Sequence, residues 1–369
     1  MFSTVNIILG DDEYINSSKM TSPDVFMLQK LLAEAKKQGC EIAIIETASH
    51  GIKMHRVWGI QYDIAVLTNI TPEHLDLHGT MKDYVGTKLK LFKNLIINER
   101  KDGVKKTAVI NLDSEYNELF LGETFDSLYT YGMTHEANLH PQDIQAKKDY
   151  TQFTLDIPGG TINVKSPLRG DFNVYNLLGA IWVFVSFGMK PQEIEKVIAQ
   201  IETVPGRMDE VKSKDGYSVF IDYAHTPDAL EKAISTLKDI EWVKRVITVF
   251  GACWDRDKTN RPVMGEVISR LSDVVILTQD DDYSEKPEQI IKDILPGVER
   301  KQWEDFWIII DRKEAIRTAL VMAKKWDIVL VSGKWDEHIR VSNQWHVDWH
   351  DKTIVQEILK DIDDNKIMK

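Results

Sequence analysis

Polar side chains suited to binding a metal ion follow two apolar runs that are predicted to be strands. Glu46 and the residues TASHG come directly after EIAII, and the segment TNITPEHLDLHG, which contains His74, follows IAVL. Ligands of a parallel sheet bind at the carboxyl ends of its strands, where carboxylate and imidazole groups from neighbouring strands can meet over one cation. Helix capping is the alternative: Thr71, Glu73 and Asp76 would serve the N-terminus of a short helix, and His74 would be a surface residue.

Charged and polar side chains also follow two later predicted strands. The loop GACWDRDKTNRP carries Arg256, Lys258 and Arg261 at the start of a predicted helix. Such a cluster suits an anionic substrate group, because the free N–H groups of the helix add to it, but it fits an exposed charged loop equally well. In the segment DYAHTPD, Thr226 as an N-cap with Pro227 in the first helical position explains two residues without a function.

The elements that position these side chains alternate between short β-branched runs and longer segments with a 3.6-residue apolar period. This alternation predicts an α/β protein with mostly parallel sheets covered by helices. In the first half, the predicted strands are residues 41–46, 64–68 and 107–111, and the predicted helices are residues 22–38, 80–98, 170–187 and 191–201. Alternating runs between about residues 127 and 165, around the turn Pro158-Gly159-Gly160, predict an antiparallel flap at the sheet edge.

A second series of strands and helices begins after Pro205-Gly206. Its predicted strands are residues 217–222, 245–250, 273–278, 307–311 and 327–332, and its predicted helices are residues 228–239, 260–271, 287–295 and 313–325. The spacing is that of βα units, which predicts a doubly wound, Rossmann-like sheet. Since 369 residues are too many for one ordinary core, we expect two domains, residues 1–204 and 205–369.

The composition excludes several classes of protein. Lys and Arg number 46 against 58 Asp and Glu, and the net charge of −12 argues against a basic nucleic-acid-binding surface. The two cysteines, Cys40 and Cys253, lie far apart without metal-ligand spacing, so neither a disulfide framework nor a structural zinc site is expected. The longest apolar stretch, LLGAIWVFVSFGM, is too short to cross a bilayer. We therefore expect a cytoplasmic protein without a membrane or nucleic-acid partner.

Ten segments, in order along nearly the whole chain, resemble the Mur ligase family, and most closely the members that add the third residue of the peptidoglycan stem peptide. They are KMTSP, ETASHG, HRVWG, TNITPEHLDLHGTMKDY, GTKLKLF, GDFNVYNLLGA, PGRMD, DYAHTPDALEKA, GACWDRDKTNRPVMG and SGKWDEH. The resemblance implies a central ATPase-type domain with a mostly parallel sheet and a Rossmann-like C-terminal domain. It also implies a two-step reaction: ATP phosphorylates a carboxylate of a UDP-MurNAc-peptide, and the amine of a free amino acid attacks the acyl phosphate.

The same resemblance implies roles for individual residues. Glu46 and His74 would hold Mg²⁺ between the phosphates and the acceptor carboxylate, and Lys88, as a carbamate formed from CO2 and its neutral amine, would face a second Mg²⁺. An exposed helix lysine, like Lys90, is the alternative for Lys88. Arg207 would reach the γ-phosphate from the joint between the domains, where its fixed fork of donors suits a phosphate.

Three substrate sites are implied by the matched positions. The implied ATP site contains Asn173, Asn176, Arg207, Asp222, Tyr223 and His225. The implied UDP-MurNAc-peptide site contains Thr21, Ser22 and Arg56, and the implied amino-acid site contains Arg256, Asp280, Asp281, Gly333 and Glu337. For Asn173, an ordinary N-cap of the following helix is the alternative.

One departure from the family pattern bears on activity. The sequence contains no phosphate-binding loop of the form G-x-x-x-x-G-K-[ST], and Met1 falls where the family is already past that loop and its N-terminal UDP-binding domain. We expect the chain to be inactive alone, as a fragment or as part of a split gene with a separately encoded N-terminal part. The alternatives are a noncatalytic nucleotide-binding or partner-binding homologue, and another amide ligase of the superfamily, such as a folylpolyglutamate or cyanophycin synthetase.

A second departure bears on the amino acid that is added. Family members specific for meso-diaminopimelate have DNPR where this chain has Asp280-Asp281-Asp282-Tyr283, so the arginine is missing and acids would repel a distal carboxylate. With Arg256 on the α-carboxylate and Glu337 on a side-chain ammonium, a basic amino acid such as L-lysine or L-ornithine is expected. The alternative is that the acids point to solvent.

Overall fold

The computed structural model describes residues 1–16, 20–147, 150–253, 258–281, 283, 285–334, 339–342 and 345–364. The chain divides into two compact units. Unit 1 comprises Met1–Pro141, Leu155–Thr161 and Tyr175–Ile194, and unit 2 comprises Gln142–Thr154, Ile162–Val174 and Glu195–Lys369. Because this division is not a single break in the chain, the boundary between residues 204 and 205 stays a prediction.

Unit 1 is built on a parallel sheet with the strand order β3-β4-β5. The strands of this unit are the antiparallel pair β1 (Asn6–Leu9) and β2 (Asp12–Ile15), followed by β3 (Ile64–Leu67), β4 (Thr107–Asn111) and β5 (Ser127–Tyr131). β4 is buried along its whole length, as expected for the central strand of a covered parallel sheet. Both β3 and β4 were predicted, and they are confirmed.

Helices cover this sheet and carry part of the candidate site. They are α1 (Val25–Lys37), α2 (Ser49–Lys53), α3 (Leu75–His78), α4 (Met81–Ile97) and α5 (Asn117–Leu121). α4 begins at Thr80, whose hydroxyl accepts the backbone N–H of Asp83 at 3.1 Å. Its apolar side chains Tyr84, Phe92 and Leu95 pack into the core beneath the sheet. The opposite face of α4 is therefore left to polar side chains.

The strand predicted at residues 41–46 is wrong. In the structure only Ile45 forms a bridge, to Phe2, and Ile42 and Ile44 are 56% and 63% exposed. The apolar run EIAII promised a buried strand, but among the described residues only a single residue pairs with it. A run of apolar residues does not form a strand without a neighbour along its length.

An antiparallel sheet with the order β6-β7-β8 follows in the chain. Its strands are β6 (Gln142–Ala146), β7 (Thr151–Ile157) and β8 (Gly160–Ser166), and the next helices are α6 (Asp171–Ser186) and α7 (Pro191–Ala199). The predicted flap is confirmed there. It is wrong for residues 127–131, which form β5, parallel to β4, because Tyr131 is buried and donates its hydroxyl to the carbonyl of Leu67 at 3.0 Å.

Unit 2 contains a six-stranded sheet with the order β13-β12-β11-β14-β10-β9. The strands are β9 (Asp209–Lys212), β10 (Ser218–Asp222), β11 (Arg245–Phe250), β12 (Val274–Leu277), β13 (Phe306–Ile308) and β14 (Asp327–Ser332). All neighbours pair in parallel except β9, which runs antiparallel to β10. Phe220 and Phe250 enter one apolar core, and Val219 and Val249 enter another. Alternate residues thus face two helical layers, which confirms the doubly wound arrangement.

The two layers use helices from different parts of the chain. The helices of unit 2 are α8 (Pro227–Lys238), α9 (Asn260–Leu271), α10 (Pro287–Ile294), α11 (Arg312–Met322) and α12 (Asp351–Asp363), with a 3-10 turn at Leu295–Gly297. α8, α9 and α10 supply one core, and α11 and α12 supply the other. α12 and the antiparallel pair β15 (Ile339–Ser342) and β16 (Trp345–Asp348) were not predicted. No helix within the described ranges is both long and apolar enough to cross a membrane.

Candidate functional site

Glu46 lies beside the N-terminal residues of unit 1. Its Oε2 atom accepts hydrogen bonds from the backbone N–H of Thr4 at 2.8 Å and from the Thr4 hydroxyl at 2.9 Å. The Thr4 hydroxyl also lies 2.7 Å from the Thr21 hydroxyl. Sequence analysis missed Thr4, because nothing in its local sequence shows that it folds against residue 46. The Glu46 carboxylate is held in one orientation by these contacts.

Lys88 projects from α4 toward carboxylates rather than standing free in solvent. Its Nζ atom lies 5.1 Å from the centre of the Tyr84 ring. Burial lowers the pKa of the Lys88 amine, and the Glu73 and Glu46 carboxylates oppose this shift without cancelling it. The structure therefore brings Lys88, Glu46 and Glu73 within electrostatic reach of one another, and it favours a neutral amine more than an exposed lysine would.

His74 occupies a conformation that few side chains adopt. Its φ is +59°, in the left-handed region, and it precedes α3 without making a side-chain cap. Its Nε2 atom is 3.3 Å from Oε1 of Glu73, and its ring lies 4.3 Å from the His50 ring. The capping role that was the alternative for His74 is wrong, because its side chain faces other histidine and carboxylate groups.

A buried contact joins the loops that carry these groups. His78 Nε2 lies 3.0 Å from the Ser49 hydroxyl, between the segment after residue 46 and the segment after β3. These two segments are therefore neighbours, as the shared strand-end position predicts. Among the described residues, no group of three or more histidine, cysteine, aspartate or glutamate side chains is arranged to hold a metal ion.

The predicted UDP-MurNAc-peptide residues lie together in unit 1. The Arg56 guanidinium donates to the carbonyl of Ser22 at 3.2 Å, and Thr21 contacts Thr4 as described above. α2 approaches Ser22 so closely that a Cβ atom on Gly51 would lie 2.4 Å from the Ser22 hydroxyl oxygen. Glycine at position 51 permits this approach.

Four of the predicted ATP-site residues cluster in unit 2. The Arg207 guanidinium lies 5.0 Å from the centre of the Tyr223 ring, which lies 4.1 Å from the His225 ring. Asp222 is buried and accepts the backbone N–H groups of Met208 and Ala224, each at 2.8 Å. Burial raises the pKa of the Asp222 carboxyl, although Arg207 opposes the shift. Asp222 thus fixes the turn, while Arg207, Tyr223 and His225 form a partly exposed stack.

Asn173 and Asn176 lie one turn apart on α6. Asn173 is buried, and its amide donates to the carbonyl of Arg169 at 2.7 Å, whereas Asn176 is exposed. The N-cap alternative for Asn173 is wrong, because α6 begins at Asp171 and Asn173 lies inside it.

The predicted amino-acid residues are only partly described. Arg256 and Glu337 lie outside the described residues. Gly333 has a φ of +99°, and a Cβ atom there would lie 2.2 Å from the carbonyl oxygen of Gly251. Asp280 and Asp281 are both buried, so the alternative that they point to solvent is wrong.

Lys334 compensates the charge of these acids. Its Nζ atom lies 2.9 Å from Oδ1 of Asp281 and 3.8 Å from Oδ1 of Asp280. The expectation that Asp281 offers an uncompensated negative charge is therefore wrong, and sequence analysis missed Lys334 although it directly follows Gly333. The Asp280 Oδ2 atom is buried without a hydrogen-bond partner among the described residues. Burial raises the pKa of the Asp280 carboxyl, against the opposing effects of Lys334 and Arg312.

Comparison with known proteins places these features in one family. Residues 1–184 match the family described as Mur ligase middle domain, and residues 206–335 match the Mur ligase, glutamate ligase domain. The UDP-N-acetylmuramoyl-L-alanyl-D-glutamate--2,6-diaminopimelate ligase 1 of Clostridium acetobutylicum is 34% identical over 98% of this chain and 72% of its own length. The UDP-N-acetylmuramyl-tripeptide synthetase 2 of Oceanobacillus iheyensis is 38% identical over 97% of this chain and 71% of its own length.

Solved structures agree with the sequence relatives. A UDP-N-acetylmuramoyl-L-alanyl-D-glutamate--2,6-diaminopimelate ligase aligns with a TM-score of 0.61 and 29% identity over 99% of this chain and 73% of its own. Mycobacterium tuberculosis folylpolyglutamate synthase complexed with ADP aligns with a TM-score of 0.66 but 19% identity, over 84% of this chain and 69% of its own, and so shares the fold. Since both halves of the chain match and relatives at 34% and 38% identity align over nearly all of it, this chain belongs to the Mur ligase family.

Proposed function

We propose that this chain supplies the middle and C-terminal parts of an ATP-dependent ligase that joins an amino acid to UDP-MurNAc-L-alanyl-D-glutamate in peptidoglycan precursor synthesis. The observation that carries the proposal is Lys88. Its amine is buried beside Glu46 and Glu73 with a lowered pKa, and a neutral amine is the form that adds CO2 to become a carbamate. A purely structural surface lysine, such as Lys90, needs no such surroundings.

The side chains present fit Mg²⁺ only once Lys88 is a carbamate. Glu46 and His74 offer a carboxylate oxygen and an imidazole nitrogen, which are too few protein ligands for a hard cation that prefers oxygen. A carbamate at Lys88 adds a third, anionic oxygen donor. Mg²⁺ bound there would neutralise the negative charge of the phosphates and of the acceptor carboxylate. Thr4 would keep Glu46 oriented, and Glu73 would compete for His74.

The remaining substrate sites follow from residues with suitable chemistry. Asn173 and Asn176 of α6, with Asp222 and the stack of Arg207, Tyr223 and His225, are proposed to hold ATP. The aromatic faces suit the base or ribose, and the Arg207 fork suits a phosphate. Thr21, Ser22 and Arg56 are proposed to bind the UDP-MurNAc-peptide.

We propose a diamino acid as the substrate that is added. The buried Oδ2 atom of Asp280 can accept a hydrogen bond from an ammonium group, and Gly333 leaves room for backbone beside it. Arg256 and Glu337 remain proposed partners of the α-carboxylate and the side-chain ammonium. The preference for L-lysine or L-ornithine stays a prediction, and the pairing of Asp281 with Lys334 removes part of the repulsion on which it rested.

The phosphate-binding loop is proposed to come from an N-terminal part that is encoded separately. The chain spans about 72% of the relative from Clostridium acetobutylicum, and its own sequence has no such loop. The reaction is proposed to take place in the cytoplasm.

A competition assay tests the proposal. The purified chain is given ATP, Mg²⁺, UDP-MurNAc-L-alanyl-D-glutamate and equal concentrations of L-lysine, L-ornithine and meso-diaminopimelate. The assay is run with and without the segment of the Oceanobacillus iheyensis relative that precedes the matched region. We expect product, identified by mass spectrometry, only when the segment is present. No product with any amino acid, in a complex that binds ATP, would overturn the proposed function.

A further inference from the structure

The loop that follows β12 is fixed at two points. Oδ1 of Asp281 accepts hydrogen bonds from Nζ of Lys334 at 2.9 Å and from the backbone N–H of Val341 at 2.8 Å. Four residues later, Glu285 accepts both terminal groups of the Arg261 guanidinium, each at 2.9 Å. Two separate ion pairs thus hold the loop that carries the proposed ammonium-binding acid.

Arg261 joins this loop to two helices. It lies in the first turn of α9, is 1% exposed, and donates to Oδ2 of Asp293 on α10 at 2.7 Å. Lys258 adds a contact of 3.1 Å to Glu285. The hydrogen bond from Arg261 holds the pKa of Glu285 below its usual range, although burial opposes this. Because the guanidinium is planar, a two-pronged contact fixes the direction as well as the distance of the carboxylate.

Tyr283 lies between the two anchors in a strained conformation. Its φ is +41°, in the left-handed region that a tyrosine adopts only at an energetic cost. Such a backbone persists where its surroundings hold it on both sides. The loop therefore has a shape that it would not keep without the anchors at Asp281 and Glu285.

We infer that Arg261 is a positioning residue that sets which amino acid is accepted, by holding the loop after β12 through Glu285. The inference rests on the proposed function only for its effect on selectivity. Both terminal nitrogens of Arg261 are engaged by Glu285 and Asp293, so it acts through the loop and not on the substrate. A buried ion pair contributes little net stability compared with an apolar pair, which fits a role in fixing one conformation.

The main variant is Arg261→Lys, which keeps the charge and loses the fork. Its matched control is Arg270→Lys on the same helix, where Arg270 is half exposed and pairs with Glu231 and Glu266. Hydrogen exchange of residues 278–286 should become faster in Arg261→Lys and stay unchanged in Arg270→Lys. This readout needs no catalysis, and unchanged exchange in Arg261→Lys would overturn the inference whatever the fate of the proposed function.

Selectivity is measured in the complex with the N-terminal segment. Since a displacement of about 1 Å can cost about a hundredfold in rate, we expect the amino-acid KM to rise about tenfold or more in Arg261→Lys, with the KM for ATP unchanged. The ratio of kcat/KM for L-lysine to that for meso-diaminopimelate should change as well. An unchanged ratio in a folded, active Arg261→Lys would overturn the inference. Glu285→Gln, which preserves the side-chain shape, decides the question by the same readouts if Arg261→Lys fails to fold.

Discussion

Lys88 and Lys90 lie on the same helix, two residues apart, in different surroundings. Lys88 is near Glu46 and Glu73, and Lys90 is exposed. We predict that Lys88→Ala in the complete complex loses about a hundredfold or more in ligation, as expected when a group at a metal site is removed. Acetate or formate should restore part of the activity, and Lys90→Ala should change it little.

A spectroscopic measurement checks the same prediction without turnover. ¹³C-labelled bicarbonate should give a carbamate signal with the native chain and with Lys90→Ala, and none with Lys88→Ala. Equal signals from Lys88→Ala and Lys90→Ala would contradict the assignment.

Tyr217 provides a test in alkaline solution. Burial raises its pKa to about 12, and its hydroxyl donates to the carbonyl of Leu320 at 3.1 Å. An unfolded tyrosine ionises near pH 10, so the folded state loses stability as pH rises from about 10 to about 12. The urea midpoint should fall more steeply over this window in the native chain than in Tyr217→Phe, which at neutral pH should be about 1 kcal/mol less stable. Tyr14→Phe, at an exposed position, is the control, and identical slopes for all three proteins would refute the prediction.

Individual site residues were predictable where a sequence segment carried them. Glu46, His74 and Lys88 lie in recognisable segments, and the structure brings them near one another. Thr4, Glu73 and Lys334 acquire their contacts only when distant segments meet, so their sequence surroundings give little warning. Glu73 and Lys334 each directly adjoin a predicted site residue, and that adjacency is the only local signal.

At the level of elements, the contact between α2 and the segment before α1 depends on the absence of one carbon atom. A Cβ atom at Gly51 would lie 2.5 Å from the Cβ atom of Ser22. We predict that Gly51→Ala lowers the free energy of unfolding by about 1–3 kcal/mol, which is the usual cost of overpacking. Ser22→Gly added to Gly51→Ala should recover most of the loss in urea denaturation, because it removes the clashing atom. Additive effects of the two changes would show that the steric account is wrong.

Elements were predictable where neighbours in sequence supply the partners. The helix over 260–271 is confirmed at both ends, and the βα spacing gives the parallel strands of unit 2. Residues 41–46 have the right composition for a strand but lack a partner along their length, and residues 127–131 pair with β4 and not with the flap. Strand pairing is set by distant segments, which local periodicity does not reveal.

On the scale of the whole molecule, unit 2 has two apolar cores, one on each face of its sheet. We predict that residues 205–369 alone fold cooperatively, with a single denaturant transition by both fluorescence and circular dichroism. Leu330→Ala, on the fully buried central strand β14, should lower stability by about 2–5 kcal/mol. A fragment without a cooperative transition would contradict the predicted domain.

The strand order of the six-stranded sheet has a consequence for biosynthesis. β14 is the last of its parallel strands to be made, yet it lies between β10 and β11. While the ribosome is still adding residues up to Ser332, the edges of β10 and β11 that β14 will occupy remain open to other chains. A nascent chain must therefore carry two exposed edges through most of its translation, so premature termination before β14 would yield an aggregation-prone product.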